Sequence, residues 1–414
     1  MRRIALICWL ILAACAEPPS GAWDDLPDSA TPTAQPTVQP TARAPMAALT
    51  PARALPTAVV LPRAMAQPTA TASPLLGSIL GVANSPQDDD PLGWLPRPQP
   101  FSGRQETEFG VQIAGCEQPV EPALKLAGEV GFSWIKQQVR WGDMTDAAGR
   151  VNWECIDRVV REAARGGFKV LLSVTTAPAW MRAARTPYGP PDNLMAWGEF
   201  VAALVERYRG SFHALEAWNE PNLSAEWDEY IDPIKYRALL AVAYGVVKYL
   251  DPGVMVISAG LAPTAEGGRW AHMDDREFLR RMIEADGLRY ADCLGAHANG
   301  PPGEGELGAV LERYWAVMAE AGELRPVCFT EFGYSVPVQG RAPKGFEWVM
   351  AHTPEGQAEA LARYVEQARL SARVKLAIVF NLNYDDGLTP NSIAALSRAD
   401  YSSPALARLK AILR

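Results

Sequence analysis

The chain has 414 residues, with 47 acidic against 39 basic side chains and a formal net charge of −8. That length suits one large domain or two ordinary ones, and the acidic surplus offers nothing to neutralise phosphates, which excludes nucleic acid as the main partner. Thirteen tryptophans serve either as core packing or as flat faces on which sugar rings stack, and composition does not separate these uses.

Met1-Arg2-Arg3 is a short basic start, and Ile4 to Leu12 is an apolar run too short to span a bilayer. Leu12-Ala13-Ala14-Cys15 resembles a bacterial lipoprotein cleavage box, which implies lipidation of Cys15; ordinary signal cleavage nearby is the alternative. Either leaves the mature protein outside the cytoplasm, lipid-anchored at the cell surface or secreted. Residues 1–15 are thus expected to be a signal peptide. Residues 16–100 are dominated by Pro, Thr, Ala and Gln, as in Thr31-Pro32-Thr33-Ala34-Gln35-Pro36-Thr37. Such a segment buries too little surface to offset its ordering entropy, so a disordered tether is expected there. Residues 101–414 are expected to form the folded domain.

Within that domain, apolar runs alternate with amphipathic helical patterns. The runs are Phe109–Ala114, Phe132–Val139, Phe168–Val174, Ala214–Trp218, Val254–Ala259, Ala291–His297, Pro326–Glu331 and Val374–Asn381. Helical segments include Ile156–Arg165, Leu194–Tyr208, Pro233–Tyr249, Gly308–Ala321 and Pro354–Ser371, with apolar residues at helical spacing. Eight strands alternating with helices predict one α/β domain, a (β/α)8 TIM barrel. A doubly wound sheet is the other candidate, but no Gly-x-Gly-x-x-Gly turn follows an early strand. No later segment is apolar for long enough to be a transmembrane helix.

Of the six cysteines, Cys8 and Cys15 belong to the signal. Cys116, Cys155, Cys293 and Cys328 are available for disulfides in an oxidising compartment. Cys293 and Cys328 fall in expected core strands and read as buried free thiols. None has the Cys-x-x-Cys spacing of a structural zinc site.

Two glutamates close apolar runs. Glu220 lies in Leu215-Glu216-Ala217-Trp218-Asn219-Glu220-Pro221-Asn222 and Glu331 in Val327-Cys328-Phe329-Thr330-Glu331-Phe332-Gly333-Tyr334. A carboxylate at the end of a buried strand costs free energy unless it is paired or used. A parallel barrel brings the ends of its fourth and seventh strands onto one face, and glycoside hydrolysis needs two carboxyls there. Asn219 is placed to hydrogen-bond a sugar hydroxyl near the reacting carbon.

These motifs resemble glycoside hydrolase clan A, the retaining (β/α)8 enzymes that include families 5 and 39. The resemblance extends to Lys136-Gln137-Gln138-Val139-Arg140-Trp141 at the second strand and Phe168–Val174 at the third. It implies an O-glycosyl hydrolase acting on a β-linked oligo- or polysaccharide, with Glu220 as acid/base and Glu331 as nucleophile. Where the family has an arginine near the nucleophile, this chain has Lys136, which keeps the charge but not the two-pronged donor geometry. Where many members carry a tryptophan floor on the eighth strand, this chain has Phe380, followed by Asn383 and Tyr384 as polar contacts.

Period-two alternation puts Lys136, Gln138 and Arg140 on one face of the second strand. His297 ends the sixth strand and is expected to contact the sugar or orient Glu331; Trp180, after the third strand, is a stacking candidate. Trp218 is expected to pack inside the barrel. The other histidines, His213, His272 and His352, share no His-x-His or His-Glu-x-x-His spacing with His297, so neither a metal nor a cofactor is expected. The chain is expected to act as a monomer. The competing reading is a surface lipoprotein that binds glycans on a decayed, non-catalytic barrel. The sugar, the linkage and internal or terminal cleavage rest on loops such as Met181–Asp192 and Asn299–Glu306, whose chemistry the sequence does not reveal.

Overall fold

A computed structural model describes residues 97–414 apart from 184, 185, 187, 228, 229, 265–271, 304, 399 and 400. The signal segment, Cys15 and all but the last four residues of the expected tether lie outside the described residues.

The expected alternation is present in order: β1 (Glu108–Gln112), α1 (Val120–Val130), β2 (Trp134–Arg140), α2 (Glu154–Arg165), β3 (Lys169–Thr175), α3 (Leu194–Arg207), β4 (Ala214–Ala217), α4 (Pro233–Leu250), β5 (Met255–Ser258), α5 (Asp275–Glu284), β6 (Leu294–Ala298), α6 (Leu307–Ala321), β7 (Val327–Phe332), α7 (Pro354–Ser371), β8 (Val374–Val379) and α8 (Pro404–Leu413). Strand bounds agree with the apolar runs to within three residues at each end. Several helices start where the sequence provides a cap. Asp232 accepts from the backbone N–H of Ile234 and Lys235 ahead of Pro233, and Thr353 accepts from Gly356 ahead of Pro354.

All pairings in the eight-stranded sheet are parallel, in the order β5-β4-β3-β2-β1-β8-β7-β6. The barrel closes between β5 and β6 through bridges Ile257↔Cys293 and Leu261↔Ala296, with Ser258 N donating to Cys293 O (3.2 Å). Side chains on the outer faces of the strands, such as Ile135, Val139, Leu172 and Phe329, join the helices in one large core. Inside the barrel, a separate apolar layer of Trp134, Leu171, Ala214, Ile257, Cys293, Cys328, Leu376 and Ile378 fills the floor. Above that floor the inward positions turn polar, and there the chemistry begins.

The structure corrects one reading. Cys293 and Cys328 are not free thiols; they form a disulfide with Cα atoms 5.8 Å apart. They precede and occupy neighbouring strands and both face inward, a meeting set by the β6–β7 register, which the sequence does not display. Cys116 and Cys155 form a second disulfide, between the loop after β1 and the start of α2. Among the described residues no helix is long and apolar enough to cross a membrane.

Candidate active site

On β2 the inward face reads Trp134, Lys136, Gln138 and Arg140 from floor to mouth. Gln138 and Arg140 line a cavity at the C-terminal end of the barrel, and Lys136 is fully buried beneath it. Lys136 Nζ meets three acceptors: Glu331 Oε1 at 2.9 Å, Glu216 Oε2 at 3.1 Å and Thr330 O at 3.2 Å. The contacts to Glu331 and Thr330 are hydrogen bonds and that to Glu216 is an ion pair, so the buried ammonium faces oxygen on three sides. Burial alone would depress the Lys136 ammonium, but Glu216 and Glu331 outweigh it and raise its pKa above the ordinary value.

Neither glutamate reaches the mouth by regular strand geometry. On β7, Cys328 points to the floor layer while Val327, Phe329 and Phe332 join the outer core. Simple alternation would send Glu331 outward with Phe329. A register shift against both neighbours, with His297 opposite Glu331 rather than Thr330, turns Glu331 into the cavity. After β4 the irregularity is in the dihedral angles, since Trp218 has φ +84° and Glu220 φ +40°. Non-glycine residues rarely adopt such angles, and at functional sites the cost is borne by the surroundings. Consequently Trp218 does not pack inside the barrel as expected. It turns outward against Trp197 and Trp227, and its indole N–H donates to Glu226 O (2.8 Å). Glu220, two residues on, then faces the cavity, its N–H held by Gly260 O (3.1 Å).

His297 joins the two carboxyls. Its Nδ1 is 2.8 Å from Glu220 Oε1 and 3.7 Å from Glu331 Oε2, and its Nε2 is 3.8 Å from Glu216 Oε1. Burial opposes the charged imidazole, but Glu331, Glu216 and Glu220 together push its pKa up to about 10. The ring fits because residue 260 is glycine: a Cβ there would lie 2.1 Å from His297 Cδ2. Asn299 Nδ2 donates to Glu331 Oε2 (3.1 Å), so both oxygens of Glu331 are held. The glycine that follows in the motif, Gly333, is likewise required, because a Cβ would meet Phe380 O at 2.6 Å.

The remaining candidates separate. Asn219, Gln138 and Phe380 line the cavity with Glu220 and Glu331. Trp180 does not; it sits on the short turn Ala179–Met181, 54% exposed. Asn383 also lies outside the lining. Its Oδ1 accepts from Ala114 N (3.0 Å) and ties the segment after β8 to the end of β1.

Three residues escape sequence reasoning. Glu216 is fully buried between Lys136, His297 and the N–H of Gly260 (3.1 Å to Oε1); burial opposes its charge, yet Lys136 and His297 hold its carboxyl well below the usual range. A charge in the middle of an apolar strand was its available signal. Glu226 lines the cavity beside Asn219; burial and the nearby Glu220 push its pKa up to about 8. Asn299 lies in a loop whose fold no local pattern announces. As for metals, Glu220, His297 and Glu331 each place one donor atom within 4.8 Å of the others. Of these, His297 Nδ1 hydrogen-bonds Glu220 Oε1, while the two oxygens of Glu331 accept from Lys136 and Asn299.

No protein-family model and no curated protein matches this chain. Solved structures do. A family 39 glycoside hydrolase from the gut symbiont Bacteroides cellulosilyticus is 22% identical over 75% of this chain and 64% of its own, with a TM-score of 0.55. An exo-β-1,4-mannosidase from an Opitutaceae bacterium is 15% identical over 76% and 61%, also at 0.55. A family 10 endoxylanase from a sugarcane soil metagenome is 15% identical over 75% and 97%, at 0.52. The chain spans less than two thirds of the first two. It has the (β/α)8 fold that these glycoside hydrolases share.

Proposed function

We propose that this chain is an exported β-glycoside hydrolase that works by retaining double displacement, with Glu331 as nucleophile and Glu220 as acid/base. One observation carries the glycosidase reading: a carboxylate oxygen of each glutamate lies within 4.8 Å of the other, in one cavity at the barrel mouth, close enough for both carboxyls to flank one glycosidic bond. Retention requires carboxyl groups about 5–5.5 Å apart, against about 6.5–9.5 Å for inversion, and it is the anomer released that tests it. Lys136 and Asn299 fix the plane of the Glu331 carboxylate. From there Glu331 attacks the anomeric carbon while Glu220 gives a proton to the departing oxygen. In the second step Glu220 takes a proton from water, which breaks the glycosyl ester. One of the two carboxyls is ionised at each stage, and the His297 imidazolium lies within reach of both, so its charge serves either.

The export reading is supported by two disulfides, which suit an oxidising compartment. The described chain enters at the barrel face opposite the cavity, where Phe101 N donates to Leu324 O and Gln105 N to Ala372 O, just past the ends of α6 and α7. Replacing Cys15 by Ser should release the protein from membranes if Cys15 is its lipid anchor.

A screen of aryl β-glycosides with wild type, Glu331→Gln and Glu220→Gln tests the chemistry. Each substitution should cut turnover of an activated substrate, about a thousandfold or more for Glu331→Gln. The first sugar released should keep the β configuration by NMR. Release of the α anomer, or losses under about tenfold in both variants, refutes the assignment.

A further inference from the structure

The cavity's own chemistry narrows the sugar, and this inference rests on the glycosidase reading of the same site. Six carboxyl side chains line the cavity: Glu117, Glu220, Glu226, Glu331, Asp385 and Asp386. Among the described residues Arg140 is the one cation in that lining, and it is already engaged: its Nε is 2.9 Å from Asp143 Oδ2 and its guanidinium lies 4.6 Å from the Tyr188 ring centre. Lys136 and His297, beneath the cavity, are occupied by Glu216, Glu220 and Glu331. A strong surplus of negative charge therefore faces the substrate.

A second feature is independent of charge. Asn219 Oδ1 and Gln112 Oε1 belong to cavity-lining side chains that are 7% and 2% exposed, and neither atom has a hydrogen-bond partner. Both are carbonyl acceptors. The Asn219 side chain already hydrogen-bonds Glu226, and that of Gln112 hydrogen-bonds Tyr384, so acceptor capacity is what these side chains have left. Buried acceptors without partners cost free energy that a ligand's donors recover.

We propose that the cavity binds a sugar bearing a protonated amino group close to its reacting carbon, with the ammonium beside Asn219 Oδ1 and the Glu226 carboxylate. An ammonium brings three N–H donors for the unpartnered acceptors and a positive charge to set against the carboxyls of the lining. A neutral sugar supplies donors but brings no positive charge to a lining rich in carboxyls. An N-acetylated sugar has one N–H and no charge, and an acidic sugar adds charge of the wrong sign. The neighbourhood of Glu226 agrees. Burial, Glu220 and Glu331 raise its pKa and Arg140 opposes them, leaving it at about 8, so the empty cavity sheds charge by holding that carboxyl protonated. A bound ammonium favours ionised Glu226, and its binding near pH 7 should release a proton.

The test is calorimetric titration of the full chain carrying Glu331→Gln with three probes: the glucosamine tetramer, the N-acetylglucosamine tetramer and cellotetraose. The glucosamine tetramer should bind at least tenfold more tightly than either other probe, with a heat that depends on buffer ionisation. Adding Glu226→Gln should reduce that preference at least fivefold; Glu117→Gln, at an exposed site, should reduce it by a smaller factor with no risk to folding. Equal or tighter binding of a neutral probe, a preference unchanged by Glu226→Gln, or no binding of any probe overturns the inference. Wild-type hydrolysis separates the two readings. Cleavage of neutral tetramers alone sinks the amino-sugar inference and leaves the glycosidase standing. Selective binding of the glucosamine tetramer with cleavage of none sinks the glycosidase and leaves the binding site.

Discussion

Glu226→Gln isolates one titration in a crowded site. Glu226 is 8% exposed, and burial together with Glu220 lifts its carboxyl from an ordinary 4.5 to about 8. The folded chain therefore holds this proton more tightly than the unfolded chain does. Stability falls wherever the unfolded state has released the proton and the folded state has not, which is the window from about pH 4.5 to about pH 8. A group that titrates this far apart in the two states withholds about 3–5 kcal/mol by the top of that window. Glutamine has the shape of the protonated acid, still accepts from Asn219, and never ionises. Urea denaturation followed by tryptophan fluorescence should find the two proteins within about 0.5 kcal/mol at pH 4.5. At pH 8 the variant should be the more stable by roughly 3 kcal/mol. Other titrating groups are common to both proteins and largely cancel in the difference. A gap that stays flat between pH 4.5 and 8, or that favours wild type at pH 8, would mean that Arg140 compensates an ionised Glu226, and the surplus charge of the cavity would be refuted with it.

Replacing His297 by Gln should show the opposite pH pattern. A histidine raised to about 10 contributes stability that is complete below its ordinary 6.5 and is lost as pH climbs toward 10, so the variant's deficit should be largest near pH 6 and shrink above pH 9 in the same denaturation assay. Lys136→Met leaves Glu216 buried without its ammonium and should cost about 3–5 kcal/mol, read as a lower denaturation midpoint, whereas a rim ion pair would cost under about 1 kcal/mol. Gly260→Ala should fold, since its backbone needs no left-handed angle, but a methyl 2.1 Å from the His297 ring must displace it; kcat should fall about ten- to a hundredfold with KM little changed.

The frame of this molecule was legible because each strand and helix carries its own local pattern. The helical patterns of Pro233–Tyr249 and Pro354–Ser371 and the apolar runs at β3 and β7 needed no tertiary information. Period two also placed Lys136, Gln138 and Arg140 on the barrel's inner face. It failed where the backbone departs from regularity. The register shift at Glu331 and the left-handed angles at Trp218 and Glu220 are non-local outcomes, and a strict count would have turned Glu331 away from the cavity. The disulfide of Cys293 and Cys328 was illegible for a related reason, since register between strands is invisible in either strand alone. Trp180 and Asn383 mark a third limit: a strand end is close to the mouth, but which side chains of the following loop reach it depends on the loop's path.

Three carboxylates, an ammonium and an imidazole packed inside a barrel are poor stabilisers. Removing such charges from water costs several kcal/mol per ion, and apolar residues of the same volume do as well or better. A network kept only for structure would also be closed, with every member sealed from solvent and matched by partners. This one is divided. Glu216, Lys136 and His297 are sealed at the lower level, each holding the next, while Glu220 and Glu331 stand above them in the wall of an open cavity. The sealed layer determines where the exposed pair points, through Lys136 on one oxygen of Glu331 and His297 on one oxygen of Glu220. The Glu216 carboxylate is central, because it touches both cations and neither substrate-facing oxygen. In the double displacement we propose, its burial makes sense as the counter-charge that keeps Lys136 and His297 in place while Glu331 is held in an ester and Glu220 gains or loses its proton.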